Sequence, residues 1–195
     1  GLIDPWLKTV AYYDGEEKIA SCHYYATHPM SYYGDGRVSS DFAGLARKRR
    51  QAEEPDCAHL YFTGCAGNIA AGKYNDGSPE ARVELTQRMY DGIVASEADL
   101  SPVPIETIGW RTADLVPTVN AKYDAEAIAK QIATKEGSVV SRNRPSYTLS
   151  WIRRLEKQIP IVLSSMTIND ISLLHLPAEC FVQYQLRAQD LAPGR

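Results

Sequence analysis

Two runs, Lys8-Thr9-Val10-Ala11-Tyr12-Tyr13 and Lys18-Ile19-Ala20-Ser21-Cys22-His23-Tyr24-Tyr25, decide the fold class. Both are rich in β-branched and aromatic residues, and Asp14-Gly15-Glu16-Glu17 between them reads as a hairpin turn. The second strand delivers Thr27 and His28 into a loop. Beyond it, Tyr32 to Ser40 is dense in glycine and turn formers, and Ser40 or Asp41 can cap a helix running to about Glu54. Arg47, Lys48, Arg49 and Arg50 fall near the C-terminal end of that helix, where its dipole favours cations, and are expected on a solvated face.

Working outward, Ala58 to Phe62 is a short apolar run expected to be a buried strand, and it empties into a loop of small residues from Thr63 to Gly72. Ser78 and Pro79 open a helix carrying Val83, Leu85, Met89, Ile93 and Val94 and lasting to about Ala98. Pro104 to Leu115 reads as a strand, Asp124 to Lys135 as a helix closed by Gly137, Gly137 to Pro145 as a loop, and Ser146 to Gln158 as a further helix. Ile161 to Ile168 and Ile171 to Leu176 pair across Asn169-Asp170 as a second hairpin that leads to Glu179, and a last helix follows from Cys180 to Gln189. The expectation is an α/β fold, a mixed β-sheet core with hairpins flanked by helices, in a single domain over residues 1–195.

Composition excludes some classes of function. The 195 residues are 44% hydrophobic, enough for a sizeable core, and carry a net charge of -3 with a pI near 5.8, so no overall basic field draws them to nucleic acid. No apolar stretch approaches the roughly 20 residues of a membrane-spanning helix. Cys22, Cys57, Cys65 and Cys180 allow three pairings if all are bridged, contain no C-x-x-C spacing and do not fix a compartment.

Three strands thus end in loops that offer His28, the Cys65 region and Glu179. Imidazole and carboxylate are ligands that zinc accepts, and a catalytic zinc keeps a position open for water. His28 and Glu179 are about 150 residues apart in sequence, so no single-helix metal motif is present. His59 and His175 sit in apolar strand patterns and are expected to be satisfied sheet residues. His23 is a candidate to orient a ligand from behind, and Tyr24, Tyr25, Tyr32 and Tyr33 read first as core aromatics and alternatively as the wall of a pocket for an apolar chain.

The blocks Ala26-Thr27-His28-Pro29-Met30-Ser31 and Gly34-Asp35-Gly36-Arg37-Val38-Ser39-Ser40-Asp41-Phe42-Ala43-Gly44-Leu45-Ala46 resemble a segment of the neutral/alkaline non-lysosomal ceramidases. Gly64-Cys65-Ala66-Gly67-Asn68-Ile69-Ala70-Ala71 resembles their nucleophile loop, and Leu176-Pro177-Ala178-Glu179 the segment that carries a glutamate ligand to zinc. The resemblance implies zinc as cofactor with His28 and Glu179 as two of its ligands, an N-acyl, ceramide-like lipid amide as substrate, and an extracytoplasmic or secreted setting. It also implies that a further histidine and a tyrosine of the zinc site lie outside this chain. The chain is therefore expected to be an internal portion of a longer catalytic domain and to hold zinc weakly by itself. The family reads Gly-Asp-Val-Ser-Pro where this chain reads Gly67-Asn68-Ile69-Ala70-Ala71, so the serine nucleophile is replaced by Ala70. Cys65 is the remaining nucleophile candidate on that loop, and Gly64, Gly67, Asn68 and Ala70 are its candidates for binding an oxyanion through backbone N–H groups. The alternative is a non-catalytic ceramidase-like binding or scaffold domain.

Overall fold

The Lys8–Tyr25 stretch folds as its pattern predicts. Strands β1 (Lys8–Asp14) and β2 (Glu17–Tyr25) pair antiparallel around Gly15, whose φ of +61° is one that L side chains rarely adopt. The computed structural model describes residues 1–32, 36–134 and 137–192, so Tyr33, Gly34, Asp35 and Lys135 of the expectations above lie outside the described residues. The chain divides into two compact units, Gly1–Glu106 with the segment from Ala178, and Thr107–Pro177, a boundary that the sequence pattern did not mark. Each contains a three-stranded sheet, and helices complete the α/β fold.

In the first unit the sheet order is β1-β2-β3, with β3 (Ala58–Thr63) parallel to β2. Helix α1 (Asp41–Glu53) makes the crossover that a parallel pair requires, and α2 (Pro79–Glu97) packs on it. Ser78 caps α2 by accepting from the Ala81 N–H at 3.1 Å. Phe42, Ala46, Leu85, Met89 and Ile93 form the core between the helices, and burying each of the larger ones contributes about 1.5–3 kcal/mol. Val83 and Val94 of α2 face outward instead. Helix α6 (Val182–Leu191) closes the unit.

β3 is an edge strand rather than a buried one, with Leu60 45% and Phe62 44% exposed, because among the described residues no strand pairs with its far side. β2 is central and is buried on both faces at Ser21, Cys22 and His23. The basic run is also not a simple solvated face. Arg50 Nε lies 2.7 Å from Glu97 Oε2 and pairs with Glu54, Arg47 donates to the His59 carbonyl at 3.0 Å, and Arg49 lies over the Tyr90 ring. Lys18 reaches the same two carboxylates, at 3.1 Å from Glu97 and 2.6 Å from Glu54.

His23 and His59 are stacked beneath this cluster, with His23 Nε2 3.0 Å from His59 Nδ1 and both rings essentially inaccessible. Burial depresses His23, which the nearby Glu97 only partly offsets, so its folded pKa falls from 6.5 to about 4. The unfolded chain therefore binds the extra proton first, and stability is full above pH 6.5 and lost as pH falls towards 4. Urea unfolding at pH 5 should give a stability about 2 kcal/mol below that at pH 7.5 from this residue. Equal stabilities at the two pH values would show that His23 is not held neutral.

The second unit is an antiparallel meander, β4 (Ile108–Leu115), β5 (Ile161–Ile168) and β6 (Ile171–His175), with Asn169 at φ +49° in the β5–β6 turn. Between β4 and β5 lie α3 (Ala125–Ala133), α4 (Val139–Asn143) and α5 (Pro145–Glu156). The segment expected as a loop from Gly137 to Pro145 thus contains α4, nucleated where Ser138 Oγ accepts from the Ser141 N–H at 3.2 Å. His175 is a sheet residue, 3.0 Å from Ser164 Oγ and beside the Trp110 ring.

Candidate functional site

Because β2 and β3 are parallel, with Tyr25 opposite Thr63, their C-terminal ends open on the same side of the sheet. In open α/β sheets ligands bind at the carboxyl ends of strands. The loop after β2 carries His28 and the loop after β3 runs from Gly64 to Ala71; the Gly64 N–H ties them by donating to the Tyr25 carbonyl at 2.9 Å.

His28 is held by that second loop. Its N–H donates to the Ile69 carbonyl at 3.0 Å, and its Nδ1 lies 2.6 Å from the Ala66 carbonyl and 3.1 Å from that of Ile69. A carbonyl only accepts, so Nδ1 carries the proton and Nε2 is left for another partner. Nε2 faces Glu179 Oε2 at 3.8 Å, with the Glu179 side chain 82% exposed. Orientation of one ring nitrogen by a backbone carbonyl is the usual support of a metal-binding histidine.

Glu179 is placed by the same loop. The Gly67 N–H donates to the Cys180 carbonyl at 2.9 Å, and a Cβ on Gly67 would lie 2.1 Å from the Glu179 carbonyl oxygen, so only glycine permits this approach. Asn68 Oδ1 accepts from the Val182 N–H at 2.9 Å at the start of α6, and its Nδ2 donates to Gln183 at 3.0 Å. Gln185 Oε1 accepts the Cys65 N–H at 2.9 Å, and its Nε2 donates to buried Asp4 at 2.7 Å. Burial would raise the Asp4 carboxyl, but hydrogen bonds from Gln189, Lys8, Gln185 and the Trp6 amide hold it at about 2.

The other flank of the His28 loop is anchored by a group of residues that the sequence marks only as a helix start. Buried Asp41 accepts from the Ser31 N–H at 3.0 Å, the Ser31 hydroxyl at 2.7 Å and the Phe42 N–H at 2.7 Å, and pairs with Arg82 at 3.3 Å. Burial opposes its charge, yet these bonds keep its carboxyl below the usual carboxylate range. Its φ of +47° is one that a non-glycine residue adopts at a cost. Asn75 Nδ2 donates to the Ser31 carbonyl at 2.6 Å.

The Gly64–Ala71 loop has little nucleophilic power. Ala70 is exposed and offers no hydroxyl, and burial, with Cys180 nearby, pushes the Cys65 thiol up, so it stands as the neutral thiol. All four cysteines are free thiols. The amides of Gly64 and Gly67 are already engaged, so of the four loop residues expected to bind an oxyanion through backbone N–H groups, Asn68 and Ala70 keep that role as candidates.

Two supporting expectations change. His23 does not orient His28: its Nδ1 bonds Thr9 Oγ1 at 2.8 Å and its Nε2 bonds His59, because the buried middle of β2 turns it towards α2 and β3. Among the described residues the tyrosines form no common wall, since Tyr24 stacks on Phe62, Tyr25 packs on the helical core and Tyr32 lies under Arg82. Two further groups, His23/His59/Glu97 and Glu54/Cys57/His59, bring ligand atoms within 4.8 Å of one another. Both already face the fixed cations Lys18 and Arg50, which satisfy Glu97 and Glu54 and oppose a dication.

No family model matches the chain, and no curated protein matches it. The crystal structure of neutral ceramidase from Pseudomonas aeruginosa is similar to it, with a TM-score of 0.65 and 12% sequence identity, over 96% of this chain and 36% of that chain. The chain spans about a third of the ceramidase's length and, over nearly all of its own, has a similar fold.

Proposed function

We propose that this chain is a portion of a larger, ceramidase-like catalytic domain, a zinc-dependent amidohydrolase that cleaves an N-acyl linkage of a ceramide-like lipid. The observation that carries it is the pair His28 Nε2 and Glu179 Oε2, 3.8 Å apart, with Nδ1 already committed to backbone carbonyls. Two ligands on one tetrahedral zinc at about 2.1 Å each stand roughly 3.4 Å apart, so the pair fits such an ion with a small adjustment. Zinc, when bound, lowers the pKa of water towards neutrality. The chain's own residues orient the ligands, through the Ala66, Ile69 and Cys180 carbonyls, and the Asn68 and Ala70 amides are the loop's candidates for meeting charge that develops on a carbonyl oxygen. With alanine at position 70 and a neutral Cys65 thiol, attack on the amide carbon falls to water. The same reading carries an extracytoplasmic setting.

Ala70 also favours a second reading, a ceramidase-like domain that binds without cleaving. Hydrolysis of N-acyl lipids and simple amides by the full-length protein with zinc separates the two. Turnover in the unsubstituted protein that falls at least about 100-fold in His28→Ala and in Glu179→Ala, together with lost zinc stoichiometry, is the expected result. Absence of turnover until Ala70→Ser is introduced assigns the non-catalytic reading.

A further inference from the structure

The chain as a whole is acidic, but its charge is unevenly placed. Residues 121–160 hold eight Lys and Arg against four Asp and Glu, whereas the rest holds 13 against 20. This basic segment is the helical part of the Thr107–Pro177 unit. One face of α5 is spent on packing, with Leu149, Ile152 and Leu155 buried. The opposite face carries Tyr147, Trp151 and Arg154 at i, i+4 and i+7, so the three stand in one row. Tyr147 is 78% and Trp151 40% exposed, and the neighbouring α4 exposes Val139 at 61% and Val140 at 71%. Beside that row lies an open groove of about 550 Å³, lined by Ile132, Leu149 and Ile159 together with Arg153, Arg154 and Lys157.

Exposed tyrosine and tryptophan with an arginine-rich surround is the composition of surfaces that sit at the headgroup level of a bilayer, where the rings reach the acyl boundary and the cations meet lipid phosphate and carboxylate. We infer that α4 and α5 form a docking surface for an anionic lipid bilayer. The occupant follows from charge and from the groove. The surface is cationic on an otherwise acidic molecule, so a lipid plane that touches it alone is attracted while a long polyanion wrapping the molecule is repelled. The apolar part of the groove's lining is aliphatic, which suits an acyl chain, and the lining offers no ring for stacking a base. The inference stands independently of the amidohydrolase reading, since it uses none of that site's residues.

The test is co-sedimentation of the full-length protein with vesicles of phosphatidylcholine alone and of phosphatidylcholine with 30% phosphatidylserine, at low and high salt, with poly(U) binding as a parallel arm. Partition is expected only with the anionic vesicles, weakening as salt rises. Arg153→Glu and Arg154→Glu should each lower it about fivefold or more, and Tyr147→Ser with Trp151→Ser about tenfold. Val83→Ser, an equally exposed valine on α2, should leave it unchanged. Tyr147→Ser alone, at so exposed a position, keeps the fold and guards against loss of binding by unfolding. Equal partition to both vesicle types, binding indifferent to Tyr147 and Arg154, or capture of poly(U) in preference to vesicles overturns the inference.

Discussion

Glu97→Ala is expected to destabilise the Gly1–Glu106 unit by about 3–5 kcal/mol. Glu97 sits at the C-terminal end of α2 with its side chain 6% exposed, and accepts from Ser21 of β2 at 2.6 Å, Arg50 of α1 at 2.7 Å and Lys18 of β2 at 3.1 Å. One carboxylate thereby joins the central strand to both helices. Burial alone would raise it, but the bonds from Ser21, Arg50 and Lys18 hold its pKa at about 2. Removing it leaves two little-exposed cations facing each other, with the more accessible Glu54 shared between them and the exposed Glu53 paired with Arg50 alone of the two. The asymmetry of buried ion pairs gives a second arm: a triple change of Lys18, Arg50 and Glu97 to methionine should recover most of the loss, because no charge is then stranded. Urea denaturation of the single and triple variants decides it, and a single-variant cost below about 1 kcal/mol would show that the cluster does not bind strand to helix.

Gly67→Ala is expected to cost about 3 kcal/mol and, in the full-length protein, to lower zinc affinity by about 10–100-fold. The added Cβ would meet the Glu179 carbonyl oxygen at 2.1 Å, a backbone atom that cannot swing aside as a side-chain tip would. The loop and the segment from Glu179 must separate, which breaks the Gly67–Cys180 hydrogen bond and withdraws Glu179 from His28. Calorimetric zinc titration alongside thermal unfolding distinguishes this from a merely structural effect. Gly72→Ala, where nothing lies within 4 Å of the added atom, is the matched control and should change neither. Zinc affinity unchanged in Gly67→Ala would detach the loop from the proposed zinc site.

How much of this was legible beforehand differs by element. The two hairpins were legible because β-branched and aromatic runs flank short turns, and the sheet registers agree with Gly15 and Asn169 as the turning points. Helix α2 was legible from apolar spacing and from Pro79 in its first turn, and α5 was read one residue late, from Ser146, with Pro145, which is its first residue, placed at the end of a loop. The helix within 137–145 was not, because five residues give too short a period to read, and the cap from Ser138 is its main local signal. Likewise the four-residue basic run reads as a solvated face until Glu54 and Glu97 are brought against it, and Glu97 arrives from a helix 47 residues downstream of Arg50.

The sequence by itself determined the alternation of strands and helices, the strand ends from which His28 and the Gly64–Ala71 loop emerge, and the absence of a hydroxyl at position 70, since each is a local property of residue type and spacing. Only the tertiary structure decided that β2 and β3 run parallel, which turns both loops to one side of the sheet. It alone sent His23 to His59, whereas the meeting of His28, five positions on, with Glu179 was already implied by the family resemblance. The reason is physical: partners separated by tens to more than a hundred residues meet through packing and a glycine-sized gap at Gly67, and no local pattern encodes a distance of that kind.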